Sequence, residues 1–166
     1  MDNELYNNLL ERAKRYAHVR VVDRIHRNAD GSTFYLYEKE RPTIKLLETL
    51  SDTSPEYRAH VLAHELGHVT AKDTFKHRVG YLLNGLQDKI KTPVTARVAA
   101  WVNDNVPVIG KPLAQYGWYG GRVMMESAAN DEGLRHLKEL GADKKLLAYA
   151  RKDGRDYVAG ILRGER

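Results

Sequence analysis

The five residues His64-Glu65-Leu66-Gly67-His68 constrain this 166-residue chain more than any other feature. Val61, Leu62, Ala63, Leu66 and Val69 surround the two histidines with apolar side chains. Upstream, Thr53 and Glu56 have capping-box spacing and Pro55 suits a first turn, so a helix is expected over 53–69. Helical residues four apart project about 40° from one another, which points His64 and His68 the same way. Buried imidazoles need partners, and one metal ion can satisfy both. Glu65 projects roughly 100° from His64, beside such an ion, where a general base for water belongs. A fold that carries this motif must bury the helix on both flanks and bring a second element to the same face.

That second element must offer a third ligand, because three protein ligands leave one position open for chemistry. The candidates are the acidic residues and the other histidines, His18, His26, His60, His77 and His136. Glu126 is the best of them. It shares a predicted helix, 122–140, with Asn130 one turn later, and Gly141 closes that helix. Ser127, Ala128 and Ala129 are small and allow two helices to approach closely. Asn130 would accept a hydrogen bond from the distal N–H of a ligand histidine. His136, about 15 Å further along, should not share an ion with Glu126 and reads as a surface or capping histidine. Zinc is the default metal for this donor set, one ion per chain, although two histidines and a carboxylate also suit manganese or iron. The absence of cysteine excludes thiolate-ligated zinc, iron–sulfur clusters and cysteine nucleophiles.

The motif, followed by Glu126 and Asn130 on a later helix, resembles the gluzincin metallopeptidases. The upstream half, Thr43 to Leu47 and then Arg58 to His68, resembles the ImmA/IrrE-type proteases of phages, mobile elements and bacterial stress responses. The downstream half, with Arg122, Glu126, Ala129 and Asn130, is similar to the HtpX type, as is the long interval between His68 and Glu126. HtpX proteins, however, carry membrane segments and Asp where Asn130 stands. The resemblance implies His64, His68 and Glu126 as zinc ligands, Glu65 as general base and Asn130 behind a ligand. The implied function is a zinc metalloendopeptidase that hydrolyses peptide bonds with water activated at the metal. Its substrate would be a protein or peptide, such as a regulator or repressor. A Tyr, His or Arg often serves as a second oxyanion donor, and Tyr119 is the choice here.

The remaining chain reads as a single α+β domain over 1–166, a sheet of about three strands packed on a helix bundle. An amphipathic helix is expected over 5–16 and a strand over 19–25. A turn at 28–32 leads to a returning strand over 33–37. A third strand over 42–47 is placed at an edge, since Pro42 cannot donate, and is offered as the edge on which an extended substrate pairs. Helices are expected over 74–90 and 92–102, a loop-rich stretch over 103–121, and two short helices over 144–151 and 155–162. No stretch is long and apolar enough for a membrane span, and no signal peptide is visible, so a cytoplasmic protein is expected. The net charge of +5 permits a nucleic-acid partner without indicating one, because acids interleave the basic runs. Two rival functions remain. One is a zinc-binding sensor or interaction domain that does not cleave; the other is a basic nucleic-acid-associated protein with structural zinc. Oligomeric state is not readable.

Overall fold

The computed structural model describes residues 2–25, 31–34, 41–78, 81 and 107–163, with the side chains of 2, 3, 34 and 107–120 outside that description. Its elements give the α+β architecture expected: a small mixed sheet against a set of helices. Helix α1 spans Asp2–Tyr16 and buries Leu9 and Ala13 on its apolar stripe. Strands β1 (His18–Val22), β2 (Gly31–Phe34) and β3 (Thr43–Leu47) form one sheet in the order β1-β3-β2. β1 runs parallel to β3, with His18 opposite Thr43, and β2 runs antiparallel to it, with Gly31 opposite Leu46.

This order corrects two expectations. β2 does not return along β1, and β3 is central instead of lying at an edge. Pro42 stands just before β3 and contributes only its carbonyl, which accepts from His18 N at 2.8 Å, so its missing N–H costs the ladder nothing. Gly31, expected in the turn, begins β2.

Helix α2 (Pro55–Ala71) is the hub, packed against α1, the sheet and both later helices. Ser54, not Thr53, is its N-cap and accepts from Tyr57 N at 3.2 Å. Thr53 Oγ1 donates instead to the Leu50 carbonyl. Leu62 and Leu66 are fully buried on α2, together with Leu9, Ile44, Leu46 and Leu137 from its neighbours. Burying each such side chain is worth about 1.5–3 kcal/mol, so α2 is anchored from several sides.

After one helical turn at 75–78, the expected helices over 79–102 lie outside the described residues, Tyr81 apart. Helix α3 then runs over Pro107–Glu139 without a break, which corrects the loop-rich reading of its first half. Pro107 takes the first position, where no N–H is needed, and each glycine costs a helix only about 1 kcal/mol, a penalty but not a stop. Gly141 (φ 81°) closes α3 in a Schellman motif, with Ala142 N bonded to the Leu137 carbonyl at 2.9 Å. Helix α4 (Lys144–Leu162) is likewise one helix where two were expected. Asp143 caps it by accepting from Leu146 N. Gly154 sits inside it because Asn130 of α3 packs there: a Cβ would come within 2.8 Å of Asn130 Cγ. Among the described residues, no helix is long and apolar enough to cross a membrane.

His136 is not on the surface; only 2% of it is exposed. Arg12 Nη1 donates to its Nδ1 (3.2 Å), which leaves Nε2–H to face Thr70 Oγ1 at 3.0 Å. Thr70 Oγ1 donates in turn to the Leu66 carbonyl, so one chain of bonds joins α1, α3 and α2. Burial, with Arg135 and Arg12 close by, pushes the His136 pKa down to about 4. The unfolded imidazole titrates near 6.5. Between those values the unfolded state binds more protons, so His136 withdraws stability as pH falls from 6.5 toward 4. We expect a loss of up to about 2 kcal/mol after solvent screening, measured as the difference in unfolding free energy between the wild type and His136→Gln across pH 4–8. Parallel curves would sink this assignment.

Candidate metal centre

The two histidines of α2 and Glu126 of α3 meet because their helices touch backbone to backbone. Gly67 faces Ala129 and Gly133 faces Ala63, and at either glycine an added Cβ would fall inside the other helix's backbone. His64 Nε2 and His68 Nε2 are 3.2 Å apart, and Glu126 Oε2 lies 3.3 Å from each. The three side chains are between 14% and 20% exposed. In a tetrahedral site with bonds of about 2.0–2.1 Å, neighbouring donor atoms are about 3.3–3.4 Å apart. The triangle therefore has the dimensions of one face of a tetrahedral metal site. Among the described residues, no fourth His, Cys, Asp or Glu joins the group.

Electrostatics agree with a cation in that triangle. Glu126 Oε2 is buried and, among the described residues, accepts no hydrogen bond. The nitrogens face it as charge partners without hydrogen-bond geometry. Burial alone would raise the Glu126 pKa, yet the two imidazoles hold the carboxyl well below the usual range. Burial likewise pulls His64 down, but Glu126, Glu65 and Asn130 outweigh it and raise the imidazole to about 9. This pocket stabilises positive charge against the cost of desolvation, as a site for a divalent ion must.

Asn130 sets the orientation of His64. Its Oδ1 lies 2.8 Å from His64 Nδ1, while its Nδ2 donates to the Gly154 carbonyl at 3.4 Å. The second bond fixes which end of the amide faces the ring. Nδ1 of His64 is then the donor, so Nε2 is the nitrogen that faces the triangle and becomes a ligand once it gives up its proton.

Glu65 is not one of the three donors; it lies against β2, is 6% exposed, and its charge still acts on His64. Thr33 Oγ1 donates to its Oε2 at 2.7 Å. Gly31 leaves the space above it: a Cβ there would come within 2.8 Å of Glu65 Cγ. Neither β2 residue was evident in the sequence, since nothing local links positions 31–33 to 65; only a lone glycine within a strand hints at a close approach. Tyr157 and Arg122 were also missed as a pair. The Tyr157 ring lies 6.1 Å from that of His64, and Arg122 Nη2 donates to its hydroxyl at 3.3 Å. Arg122 precedes Glu126 by one turn of α3, which puts both on the same face. Tyr119, the expected oxyanion donor, falls on α3 where side chains lie outside the described residues. Among the described residues, no other histidine joins the triangle; His60, for example, pairs with Asp153 at 2.9 Å.

No family model, curated protein or solved structure matches the chain.

Proposed function

We propose that the chain is a metal-dependent endopeptidase of gluzincin type, with His64, His68 and Glu126 holding one zinc ion. The observation that carries this reading is the donor triangle, with Glu65 on the adjacent position of the same helix. A zinc ion held there would supply Lewis acidity and make a water acidic enough to ionise near neutral pH. Glu65 would be the group that takes up a proton there and gives it to the leaving amine. Asn130 keeps His64 in its ligating tautomer. Tyr157, polarised by Arg122, stands on the α4 side to donate to the oxyanion that develops on the scissile carbonyl. β2, at the sheet edge and directly over Glu65, replaces the central β3 as the strand on which an extended substrate pairs. The motif's resemblance to ImmA/IrrE-type proteases makes a regulatory protein, such as a repressor, the substrate class.

The test is to incubate the zinc-loaded protein with a mixture of unfolded proteins and count new N-termini by mass spectrometry. Wild type should generate them, and Glu65→Gln should fall by about 10²–10⁴-fold, the usual worth of a general base. Equal counts from both proteins would remove Glu65 from its role.

Thr33 gives a finer check. Thr33→Val deletes the hydrogen bond to Glu65 at nearly constant shape, while Thr33→Ser keeps it. We expect kcat to drop by about tenfold in Thr33→Val, consistent with about 1.4 kcal/mol for a hydrogen bond to a carboxylate, and to be largely retained in Thr33→Ser. Equal kcat in the two variants would show that Thr33 only fills space.

A further inference from the structure

Behind Asn130, on the side away from His64, α3 and α4 enclose a groove of about 430 Å3. Leu134, Val158, Ala159 and Leu162 give it an apolar surface, and Leu162 is left 43% exposed at its far end. Arg151 and Arg155, both exposed and one turn apart on α4, stand over the near end. From Arg151 to Leu162 the groove follows α4 for about 16 Å.

The charges around it are unequally compensated. Asp153 is taken by His60 and Asp156 by Lys152, while Asp131 across the groove is held by Lys76 at 2.5 Å. Among the described residues no carboxylate is paired with Arg151 or Arg155, so this end of the groove offers two guanidinium groups to an anion. Apolar surface continuing away from two adjacent guanidinium groups is complementary to a molecule with one anionic head and one apolar tail. The volume falls within the range of small-molecule sites, about 300–1,000 Å3, and is too small for a folded partner.

We propose that this groove binds an amphipathic organic anion, an aliphatic chain ending in a carboxylate. The head group sits between Arg151 and Arg155, and the tail runs over Val158 and Ala159 to Leu162. Binding here requires neither the metal nor the peptidase reading, although Asn130 is shared with the metal centre. Asn130 and Gly154, hydrogen-bonded to each other, line the groove and would sense its occupant.

The experiment titrates the metal-free full chain with decanoate, below its micellar concentration, and follows backbone and Asn side-chain amides by NMR. Saturable shifts at Gly154 and the Asn130 side chain, at one decanoate per chain, are expected. The Arg151→Gln/Arg155→Gln double variant should bind at least tenfold more weakly. Ala159→Trp, which fills the tail path, should abolish the shifts while the rest of the amide spectrum stays native. Acetate should give no shifts at matched concentration. The proposal is overturned if decanoate gives no saturable shifts at these positions. It is also overturned if decyl maltoside, with the same tail and no charge, binds as tightly, or if neither variant weakens binding.

Discussion

Gly67→Ala is expected to cost the protein most of its stability. A methyl group at position 67 would lie 2.0 Å from the Ala129 carbonyl oxygen and 3.0 Å from Gly133 N. Both are backbone atoms of α3, so no side-chain rotation relieves the clash; the helices must separate. Separation exposes Leu62, Leu66 and Leu137, all now fully buried. A loss above about 4 kcal/mol follows, a large share of the roughly 5–15 kcal/mol that holds a domain together. The informative control is Gly141→Ala. Gly141 has φ 81° but nothing within 4 Å of an added Cβ, so only the left-handed backbone penalty of about 1–2 kcal/mol applies. Urea unfolding of the two variants would show the contrast as a large and a small shift of midpoint at unchanged slope. If Gly67→Ala unfolds within 1 kcal/mol of the wild type, α2 and α3 do not touch as described. The triangle of His64, His68 and Glu126 would then lose its basis too.

This close approach also explains what could be read from the sequence. Periodicity and capping residues marked α2, and the four-residue spacings His64/His68 and Glu126/Asn130 encode faces of helices directly. Small residues at Ser127, Ala128 and Ala129 indicated a tight crossing, and the same argument applied to Gly67 and Gly133 would have located its centre. Features set by long-range pairing were not visible. Whether β3 pairs on one side or both depends on where β1 and β2 arrive, and Pro42 looks the same before a central strand as before an edge. Glycine was the main source of error. Gly154 lies between the two short helices that were expected, and in the fold it makes room for Asn130 inside a single helix. The glycines of 107–121 suggested loop, yet α3 absorbs them. His136 looked like a surface residue because its partners, Arg12 and Thr70, are far away in the chain.

Metal content is the second large effect. Wild-type protein purified with zinc should carry one ion per chain. Glu126→Ala should lose it, with affinity down by about two to three orders of magnitude. That estimate shares the roughly 10–16 kcal/mol of a complete four-ligand zinc site among its ligands and converts one share at 1.4 kcal/mol per decade. Glu65→Gln should keep the ion, since Glu65 is hydrogen-bonded to Thr33 and is not one of the three donors. Asn130→Ala should fall between them, at about 10–100-fold weaker, because it frees the His64 ring without removing a ligand. The pH dependence has a definite sign. Without metal, His64 holds its proton up to about pH 9, and a ligating imidazole must give that proton up. Zinc therefore displaces one proton at neutral pH, and affinity should rise about tenfold per pH unit between pH 6 and 8. Competition with a chromophoric chelator at three pH values reads both the affinity and the slope. Zinc retained by Glu126→Ala at wild-type affinity would place the third ligand elsewhere. A flat pH profile would mean that no proton stands where the ion binds, so the charged triangle of His64, His68 and Glu126 would not be the site.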